Sequence, residues 1–371
     1  MRKFAKPRKD EAGFALAVTL TLLMVAAIML LPLLFLMTTG LTSADIREES
    51  MQRFYAADAG IEDGAYRILH YYVDVPTNVG EESSYALGQE LNNCTVDVTI
   101  YKAEEVTYRI TSTSTDNVSN RSTTIESYVS ISLADFSGLF DNAITSPSNV
   151  TIQPNSTVVG NVQYEGALDN KGDIYGEEII GGIGNWPTAD QLSDYYRCQV
   201  DVLDPFPDDT VDLNGYGSSL GPLYRDGSLT IKNTAAVPWG VELGGTVYVT
   251  GDLVVLPDCM IVLSGETIYA EGSIVLQPGC AISGSGCIIA VGNLDFQPSI
   301  SFGEDDFAFL LSIAGNVTLR PADSFYGCVA GNVDVDVQPN CSLEYRSPSG
   351  QEIDFPFELP AELKLVTYAI E

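Results

Sequence analysis

GDLVVLPDC, which begins at Gly251, is the first of five consecutive similar stretches in the C-terminal half of the chain. The others are GSIVLQPGC from Gly272, GNLDFQPSI from Gly292, GNVTLRPAD from Gly315 and GNVDVDVQPNC from Gly331, so the starts are 21, 20, 23 and 16 residues apart. A proline follows six positions later as Pro257, Pro278, Pro298 and Pro321, and eight positions later in the last copy as Pro339. Two earlier stretches keep the same spacing, SNVTIQPNS from Ser148 and GSLTIKNTA from Gly227, in which Asn233 replaces the proline.

Each copy predicts a short strand with an inner and an outer face. Apolar residues stand two and four positions after the glycine, as Leu294 and Phe296 do, whereas the position between them varies and is Asp295 here. Strands about every 20 residues, with no helical pattern between them, favour coils stacked ~4.8 Å apart. We therefore predict an all-β right-handed parallel β-helix over residues 136–371, in which the segment from Ser347 caps the last coil.

The N-terminus predicts a membrane segment. Five cations lie in residues 1–13, and no charged side chain occurs from Ala12 to Ala44. A transmembrane helix needs about 20 apolar residues, more than the 7–15 or so of a cleaved signal peptide, so we assign residues 14–40 to a transmembrane helix. The positive-inside rule leaves the N-terminus in the cytoplasm and the bulk of the chain outside it. Pro32 and Gly40 predict a kink or a locally loosened segment.

Residues 41–135 predict a small α+β unit. Apolar residues recur at steps of three and four, which is typical of an amphipathic helix continuing from the membrane span: Phe54, Ala57, Ile61, Ala65, Ile68 and Tyr72. Residues 94–133 contain three alternating runs that predict an antiparallel meander. Its apolar face, with Val98 and Ile110, is expected to cover the helical stripe.

The N-terminal region resembles the type IV pilins, and among them the PilX-type minor pilins. The similar stretches are the basic leader ending in Gly13-Phe14, ALAVTLTLLMVAAIMLLPLLF and FYAADAGIEDGAYRIL. The resemblance implies a leader of residues 1–13, cleaved after Gly13 by a prepilin peptidase, and N-methylation of Phe14. It also implies that the helix packs among other pilin-like subunits, and the residues assigned to this assembly helix are Val18, Pro32, Phe54, Ile61 and Ile68. Such pilins usually have glutamate at the fifth mature position, where this chain has Val18, and tip-type subunits can lack it.

The C-terminal region resembles the uncharacterised bacterial β-helix domain that follows PilX-type N-termini. The stretches that carry this likeness are WPTADQLSDYY, GPLYRDGSLTIKN and GSGCIIAVGNLDFQP. This second resemblance implies a fold and no activity. A simple signal anchor is the alternative interpretation of the N-terminus.

Composition excludes several function classes. The formal net charge of -32 disfavours nucleic acid as a partner, and the single histidine, His70, excludes triads and His-rich zinc sites. Between Gly251 and Tyr345 the only cation is Arg320, and the carboxylates of Asp295 and residues 304–306 match no catalytic motif. We therefore expect no enzyme activity, cofactor or metal.

The seven cysteines include no C-x-x-C pair, which argues against a disulfide-built scaffold. Cys259, Cys280 and Cys341 each follow a repeat proline by two, so the first pair is expected to stack on adjacent coils. Their side chains would run parallel, which favours small apolar fillers over a bridge.

Two functions remain open. The first is a membrane-anchored minor pilin-like structural subunit of a type IV pilus or a related secretion or surface filament. Its expected partners are membrane lipid, prepilin peptidase and other pilin-like subunits. The alternative is a surface-anchored carbohydrate-binding or polysaccharide-degrading β-helix protein, with a surface polysaccharide as its ligand.

Overall fold

The chain forms a long helix, an antiparallel sheet and a β-solenoid. The structure is a computed structural model, and the described residues are 9–70, 75–215, 217–235, 239–300, 306–321, 324–348 and 353–370. The predicted fold class, an apolar N-terminal helix followed by a small α+β unit and a solenoid, is confirmed. The right-handed sense of the solenoid stays a prediction.

Helix α1 (Lys9–Leu69) has 61 residues and continues without a break through Pro32 and Gly40. At ~1.5 Å per residue it is about 90 Å long. The helix is therefore not interrupted at Pro32 or Gly40, and the kink predicted there stays a prediction. Proline removes one backbone donor, and the neighbouring turns keep their own hydrogen bonds.

The second half of α1 packs on a five-stranded antiparallel sheet. Its first four strands are β1 (Glu82–Ala86), β2 (Cys94–Glu104), β3 (Thr107–Asp116) and β4 (Ser122–Asp135). Burial alternates along β2 and β3, which places Val98 and Ile110 against the helix. The predicted meander and its covering face are confirmed; β1 is an additional strand. We call α1 from Arg53 onward and this sheet the helix–sheet module.

A 3-10 turn (Ser137–Phe140) leads into the first group of solenoid strands. These are β5 (Ile144–Ser146), β6 (Asn149–Ile152), β7 (Thr157–Val159), β8 (Val162–Tyr164), β9 (Leu168–Asn170), β10 (Asp173–Tyr175) and β11 (Glu178–Ile180). Helix α2 (Ala189–Val200) follows.

The second group of solenoid strands comprises β12 (Thr210–Asp212), β13 (Ser219–Leu220), β14 (Leu223–Arg225), β15 (Leu229–Lys232), β16 (Trp239–Leu243), β17 (Val247–Val249), β18 (Leu253–Val255), β19 (Cys259–Val262), β20 (Thr267–Ala270), β21 (Ile274–Leu276), β22 (Ala281–Ser283), β23 (Gly286–Ala290), β24 (Leu294–Phe296), β25 (Ser299–Ile300), β26 (Ala308–Ser312), β27 (Asn316–Leu319), β28 (Ser324–Gly331), β29 (Asp334–Val337) and β30 (Ser342–Tyr345). A second 3-10 turn, Leu213–Gly215, lies between β12 and β13.

These strands form three parallel sheets around one apolar core. The first, which we call the covered sheet, has 12 strands and includes β14, β17, β20, β23, β26 and β28. The second, which we call the open sheet, has nine strands in the order β12-β15-β18-β21-β24-β27-β29-β6-β9. The third sheet has five strands in the order β13-β16-β19-β22-β25. The nine strands of the open sheet correspond to about nine coils. Inward side chains such as Leu253, Ile274 and Leu294 are fully buried.

The coils do not stack in sequence order. Strand β6, from the first group, pairs with β29 from the end of the second group, in the register Val150↔Val335. Strand β12 lies at the opposite end of the open sheet, beside β15. The chain therefore builds one end of the solenoid, passes along its side through α2, and fills the remaining coils back toward its starting point.

The last strand, β31 (Glu358–Ile370), pairs antiparallel with β4 of the helix–sheet module. The prediction that the segment from Ser347 caps the last coil is therefore wrong for this strand. The alternating sequence ELKLVTYAI lets it extend an existing sheet, in which Leu363 packs toward the α1 core. Both ends of the solenoid segment are thus attached to one module.

Candidate functional site

The part of α1 that begins at Leu16 and ends near Glu48 exposes its apolar side chains. The stretch of this helix from Leu16 has a mean hydropathy of 2.7 in its most apolar window, none of which is buried. This helix is long and apolar enough to cross a membrane. Hydroxyl groups within it are satisfied internally, since Thr39 Oγ1 donates to the carbonyl oxygen of Phe35 at 2.7 Å.

The residues predicted to be processed lie at the start of this helix. The backbones of Gly13 and Phe14 are helical, and the side chain of Phe14 is outside the described residues. Val18 is 39% exposed, so its side chain is available to a neighbouring molecule. Pro32 lies inside the exposed part.

In the second part of α1, two glycines bring the helix close to the sheet. A Cβ atom at Gly60 would lie 2.2 Å from Ser112 Oγ and 2.8 Å from Val96 Cγ1, and one at Gly64 would lie 2.8 Å from Ile110 Cγ2. Ile61 and Ile68 are buried beside them, and Phe54 is partly buried against the same cluster. Three of the predicted assembly-helix residues therefore pack within the chain rather than on its surface.

Helix α2 joins the helix–sheet module to the solenoid. His70, at the end of α1, has Nδ1 in hydrogen-bonding contact with Asp194 Oδ2, and Cys198 Sγ lies 3.6 Å from the His70 carbonyl oxygen. Gln191 Nε2 donates to the Pro360 carbonyl oxygen at 2.9 Å. These contacts hold the predicted membrane helix and the solenoid together.

The repeat glycines are required by close stacking of successive coils. A Cβ atom at Gly272 would lie 2.7 Å from the carbonyl group of Gly251, and one at Gly315 would lie 2.7 Å from that of Gly292. The residue after each glycine links the coils: Ser273 N donates to Asp252 Oδ1 at 2.7 Å. Further members of this ladder are Asp252 N to Ser228 Oγ, Asn293 N to Ser273 Oγ and Asn316 N to Asn293 Oδ1.

The last repeat copy is shifted relative to its predicted alignment. Gly331 ends β28, where it pairs with Ser312. Val333 N donates to the Gly315 carbonyl oxygen, and this is the hydrogen bond that a repeat glycine makes in other coils, as Gly272 N does to the Gly251 carbonyl oxygen. The inward residues of β29 are consequently Val335 and Val337. The spacing of eight between Gly331 and Pro339 reflects these two extra residues.

The repeat prolines stand at the turns that follow the open sheet. Pro257, Pro278 and Pro339 each precede a residue with positive φ, namely Asp258 (63°), Gly279 (91°) and Asn340 (62°). Proline followed by a left-handed residue is typical of a type II turn. Pro298 and Pro321 follow β24 and β27 at the equivalent place.

The outer face of the open sheet is half-buried, and its central residues are polar on β24, β27, β29 and β6. Along its centre, Asp295, Thr318, Asp336 and Thr151 lie in register on successive strands. Gln297 Nε2 donates to Asp295 Oδ2 at 2.6 Å, and Gln153 Nε2 donates to Asp336 Oδ1 at 3.3 Å. Burial, assisted by the charge of Asp336, raises the pKa of Asp334.

The outer face of the covered sheet is closed by α2. Tyr248 and Tyr269 stack with ring centroids 5.3 Å apart, and Tyr196 of α2 packs on Tyr269 at 5.1 Å. Arg197 lies 3.6 Å from the ring centroid of Tyr224. Tyr248 and Tyr269 are almost fully buried, so this face is a structural contact, and the burial raises the pKa of both phenols.

The cysteines are free and mostly buried. Cys259, Cys280 and Cys341 belong to the apolar core of the solenoid, as the filler interpretation predicts. Burial raises the pKa of Cys259 to about 11 and that of Cys280 to about 12, which leaves both thiols protonated and unreactive near neutral pH.

Among the described residues, no group of three or more His, Cys, Asp or Glu side chains could hold a metal ion. Of the carboxylates weighed for catalysis, Asp295 lies on the open sheet, and Glu304 and Asp305 are outside the described residues.

Sequence reasoning missed α2 and β31. A signal for α2 was present, because Thr188 and Gln191 have the spacing of a capping box, and both of its hydrogen bonds form. The stretch that contains it, WPTADQLSDYY, also carries the stripe of Leu192 and Tyr196.

No family model matches the sequence, and no curated protein matches it. Among solved structures, the chain is similar to the competence-associated pilin ComZ from Thermus thermophilus, with 12% identity, a TM-score of 0.28, and coverage of 87% of this chain and 97% of that one. It is also similar to an ice-binding protein from an Antarctic biological consortium, with 13% identity, a TM-score of 0.24, and coverage of 57% and 89%. A third is the ice-binding protein of Antarctomyces psychrotrophicus, with 14% identity, a TM-score of 0.21, and coverage of 58% and 98%. These likenesses are too low to carry an argument about function.

Proposed function

We propose that the protein is a membrane-anchored minor pilin-like subunit of a type IV pilus or related surface filament, which displays its solenoid outside the cytoplasm. The observation that carries this proposal is the unbroken α1, exposed and apolar at one end and packed into a sheet at the other. From residue 14 to residue 52 the helix extends about 58 Å at ~1.5 Å per residue, against a hydrocarbon thickness of ~30 Å. Exposed apolar residues such as Ile46 and Met51 therefore lie beyond the membrane, where helices of other pilin-like subunits can cover them.

Val18 and the charge of the chain support a tip or initiating position. Val18 provides no carboxylate to pair with the amine of a neighbouring subunit. Residues 41–371 hold 13 cations against 48 carboxylates, and surfaces this acidic repel one another when crowded along a shaft. The subunit is therefore present in few copies and acts without catalysis.

Processing tests the first part of the proposal. The five cations before the span place the N-terminus in the cytoplasm, where prepilin peptidase would cut after Gly13. Mass spectrometry of the protein extracted from membranes is expected to give a mature N-terminus at Phe14. Intact Met1, or cleavage beyond residue 40, would contradict it.

Location in the filament tests the second part. Immunogold labelling and quantitative proteomics of sheared filaments are expected to place the protein at filament ends, in few copies. Labelling along the whole shaft at the abundance of a major pilin would contradict the tip role. Cleavage of a polysaccharide by the full-length protein would instead favour the carbohydrate-active alternative.

A further inference from the structure

One end of the solenoid, formed by β9, β10 and β11, has a free strand edge in the described part of the chain. Strands β9, β10 and β11 each pair on one side only, with β6, β7 and β8, and no strand in the described part of the chain pairs with their other side. At the opposite end, the edge of β14 has a contact from the segment before β12: Phe206 N donates to the carbonyl oxygen of Tyr224 at 2.7 Å. A free strand edge presents N–H and C=O groups that can pair with an added strand.

The free edge also brings apolar residues to the surface. Tyr175 is 66% exposed and Ile180 is 75% exposed, although both lie on strands of the solenoid. Leu168 and Ile174 point toward the core and are only partly buried. Terminal coils normally need a polar cap, so this end is suited to an interaction.

The charge at this edge indicates the kind of partner. The one cation among the residues of this edge, Lys171, pairs with Asp169. Five exposed carboxylates surround β9–β11: Glu165, Asp169, Asp173, Glu177 and Glu178. A second copy of this chain is a poor occupant, because its other end carries Asp204, Asp208 and Asp209. Like charges would meet whether two copies joined through this edge or through this edge and the opposite end, whereas a cationic partner is complementary in charge.

A cavity of about 380 Å³ adjoins this edge. Strand β11 leads into its wall through Gly181 and Gly182, whose φ angles of 73° and 72° allow the chain to turn. The amides lining the cavity are engaged within the chain: Gln163 Nε2 donates to the Gly181 carbonyl oxygen, and Asn185 Nδ2 donates to that of Asp135. Two exposed carboxylates also line the cavity, those of Asp141 and of Asp135, whose Oδ1 accepts from Ser137 N at 2.8 Å, and together they suit an ammonium or guanidinium group.

We propose that the free edge of β11 binds a Lys- or Arg-rich extended segment of a partner protein. The segment adds to β11 as a further strand, and one of its cationic side chains enters the cavity beside Asp135 and Asp141. Backbone pairing supplies affinity, and the carboxylates select a basic sequence.

Peptide binding to the full-length protein in detergent micelles tests this. The probe is an octapeptide of alternating Lys with Val or Thr, and its comparison peptide has the same charge with two prolines in place of valines. We expect the comparison peptide to bind at least about tenfold more weakly, since proline cannot donate to a strand edge. Hydrogen exchange is expected to show protection of residues 178–180 by the first peptide only.

Charge reversals provide the matched control. Glu177→Lys with Glu178→Lys should weaken binding of the first peptide about tenfold, and Asp141→Asn several-fold, by loss of complementary charge. Asp204→Lys with Asp208→Lys makes the same change in net charge at the opposite end and should change binding less than about twofold. Equal weakening by the two double variants, equal binding of the two peptides, or no binding of the first peptide would overturn the proposal.

Discussion

At the scale of single residues, glycine decides how closely the elements of this protein approach. The contacts of Gly60 and Gly64 with β2 and β3 leave no room for a methyl group, although both positions are helical. Glycine costs a helix about 1 kcal/mol relative to alanine, so its presence at two positions one turn apart is explained by packing rather than by helix formation. Gly40, in the same helix, has nothing within 4 Å of its Cβ position.

Gly60→Ala is therefore expected to destabilise the helix–sheet module by about 1–3 kcal/mol, because overpacking outweighs the gain in helix propensity. Gly40→Ala is the matched control and should leave stability unchanged or slightly higher. Urea unfolding of both variants, followed by near-UV circular dichroism, measures the difference. Equal stability of the two variants would show that α1 does not approach the sheet as described.

Asp116 supplies a second residue-scale prediction, in the turn after β3. Its Oδ1 accepts from the backbone N–H groups of Ser119 at 2.6 Å and Val118 at 2.8 Å, and these bonds hold the pKa of the carboxyl below its usual value. A lowered folded-state pKa means that the ionised carboxylate stabilises the fold above the unfolded value of about 3.9. This contribution is lost as the pH falls through the folded-state pKa.

Asp116→Asn should accordingly be less stable than the parent protein at pH 7, and the difference should shrink as the pH falls below about 4. Urea midpoints measured between pH 7 and pH 2.5 test this. Asp97→Asn, on the exposed face of β2, controls for the loss of one charge. A difference that stays constant with pH would rule out the carboxylate as its source.

At the scale of elements, period-two alternation was sufficient to assign the strand faces. Leu294 and Phe296 are fully buried, and Asp295 between them faces outward beside Val275 and Thr318 of the adjacent strands.

Leu294→Asp would place an unpaired carboxylate in the core and is expected to cost more than about 3 kcal/mol. Asp295→Leu should be tolerated, because the new side chain lies on the outer face. Thermal melts of the two variants test the assignment, and similar melting temperatures would contradict it.

The elements that sequence reasoning missed are those whose position depends on distant contacts. Residues 189–200 form a helix because a capping box starts it and Leu192 and Tyr196 find a tyrosine-lined sheet to cover. Strand β31 alternates like many others, and only the free edge of β4 determines where it pairs. Local patterns specify the type of an element, whereas its partner is specified by which edges and faces remain uncovered. The exposed apolar part of α1, by contrast, could be predicted from composition alone.

At the scale of the whole molecule, the order of the coils could not be read from the repeats. The inward residues of β6 are Val150 and Ile152, and those of β15 are Leu229 and Ile231, so either strand fits beside another coil. Because the inward side chains of all coils are of the same kind, they specify that coils stack but do not specify which coil lies next to which. What separates the two groups of coils is the connection through α2, which runs along the covered sheet.

This order predicts which coils depend on the C-terminus. Strands β5–β11 pair among themselves and with β28, β29 and β30, so a variant that ends at residue 323 removes their neighbours in the second group. Strands β12–β25 keep their partners in that variant, whereas β26 and β27 each lose one neighbour. Hydrogen exchange of the protein in detergent micelles is expected to show loss of protection over residues 142–180, while residues 253–290 stay protected. A variant lacking only residues 361–371 loses most of β31 and should retain protection in both regions. In a solenoid stacked in sequence order, residues 142–180 would lie beside β12 and stay protected in the shorter variant; that result would contradict the split arrangement.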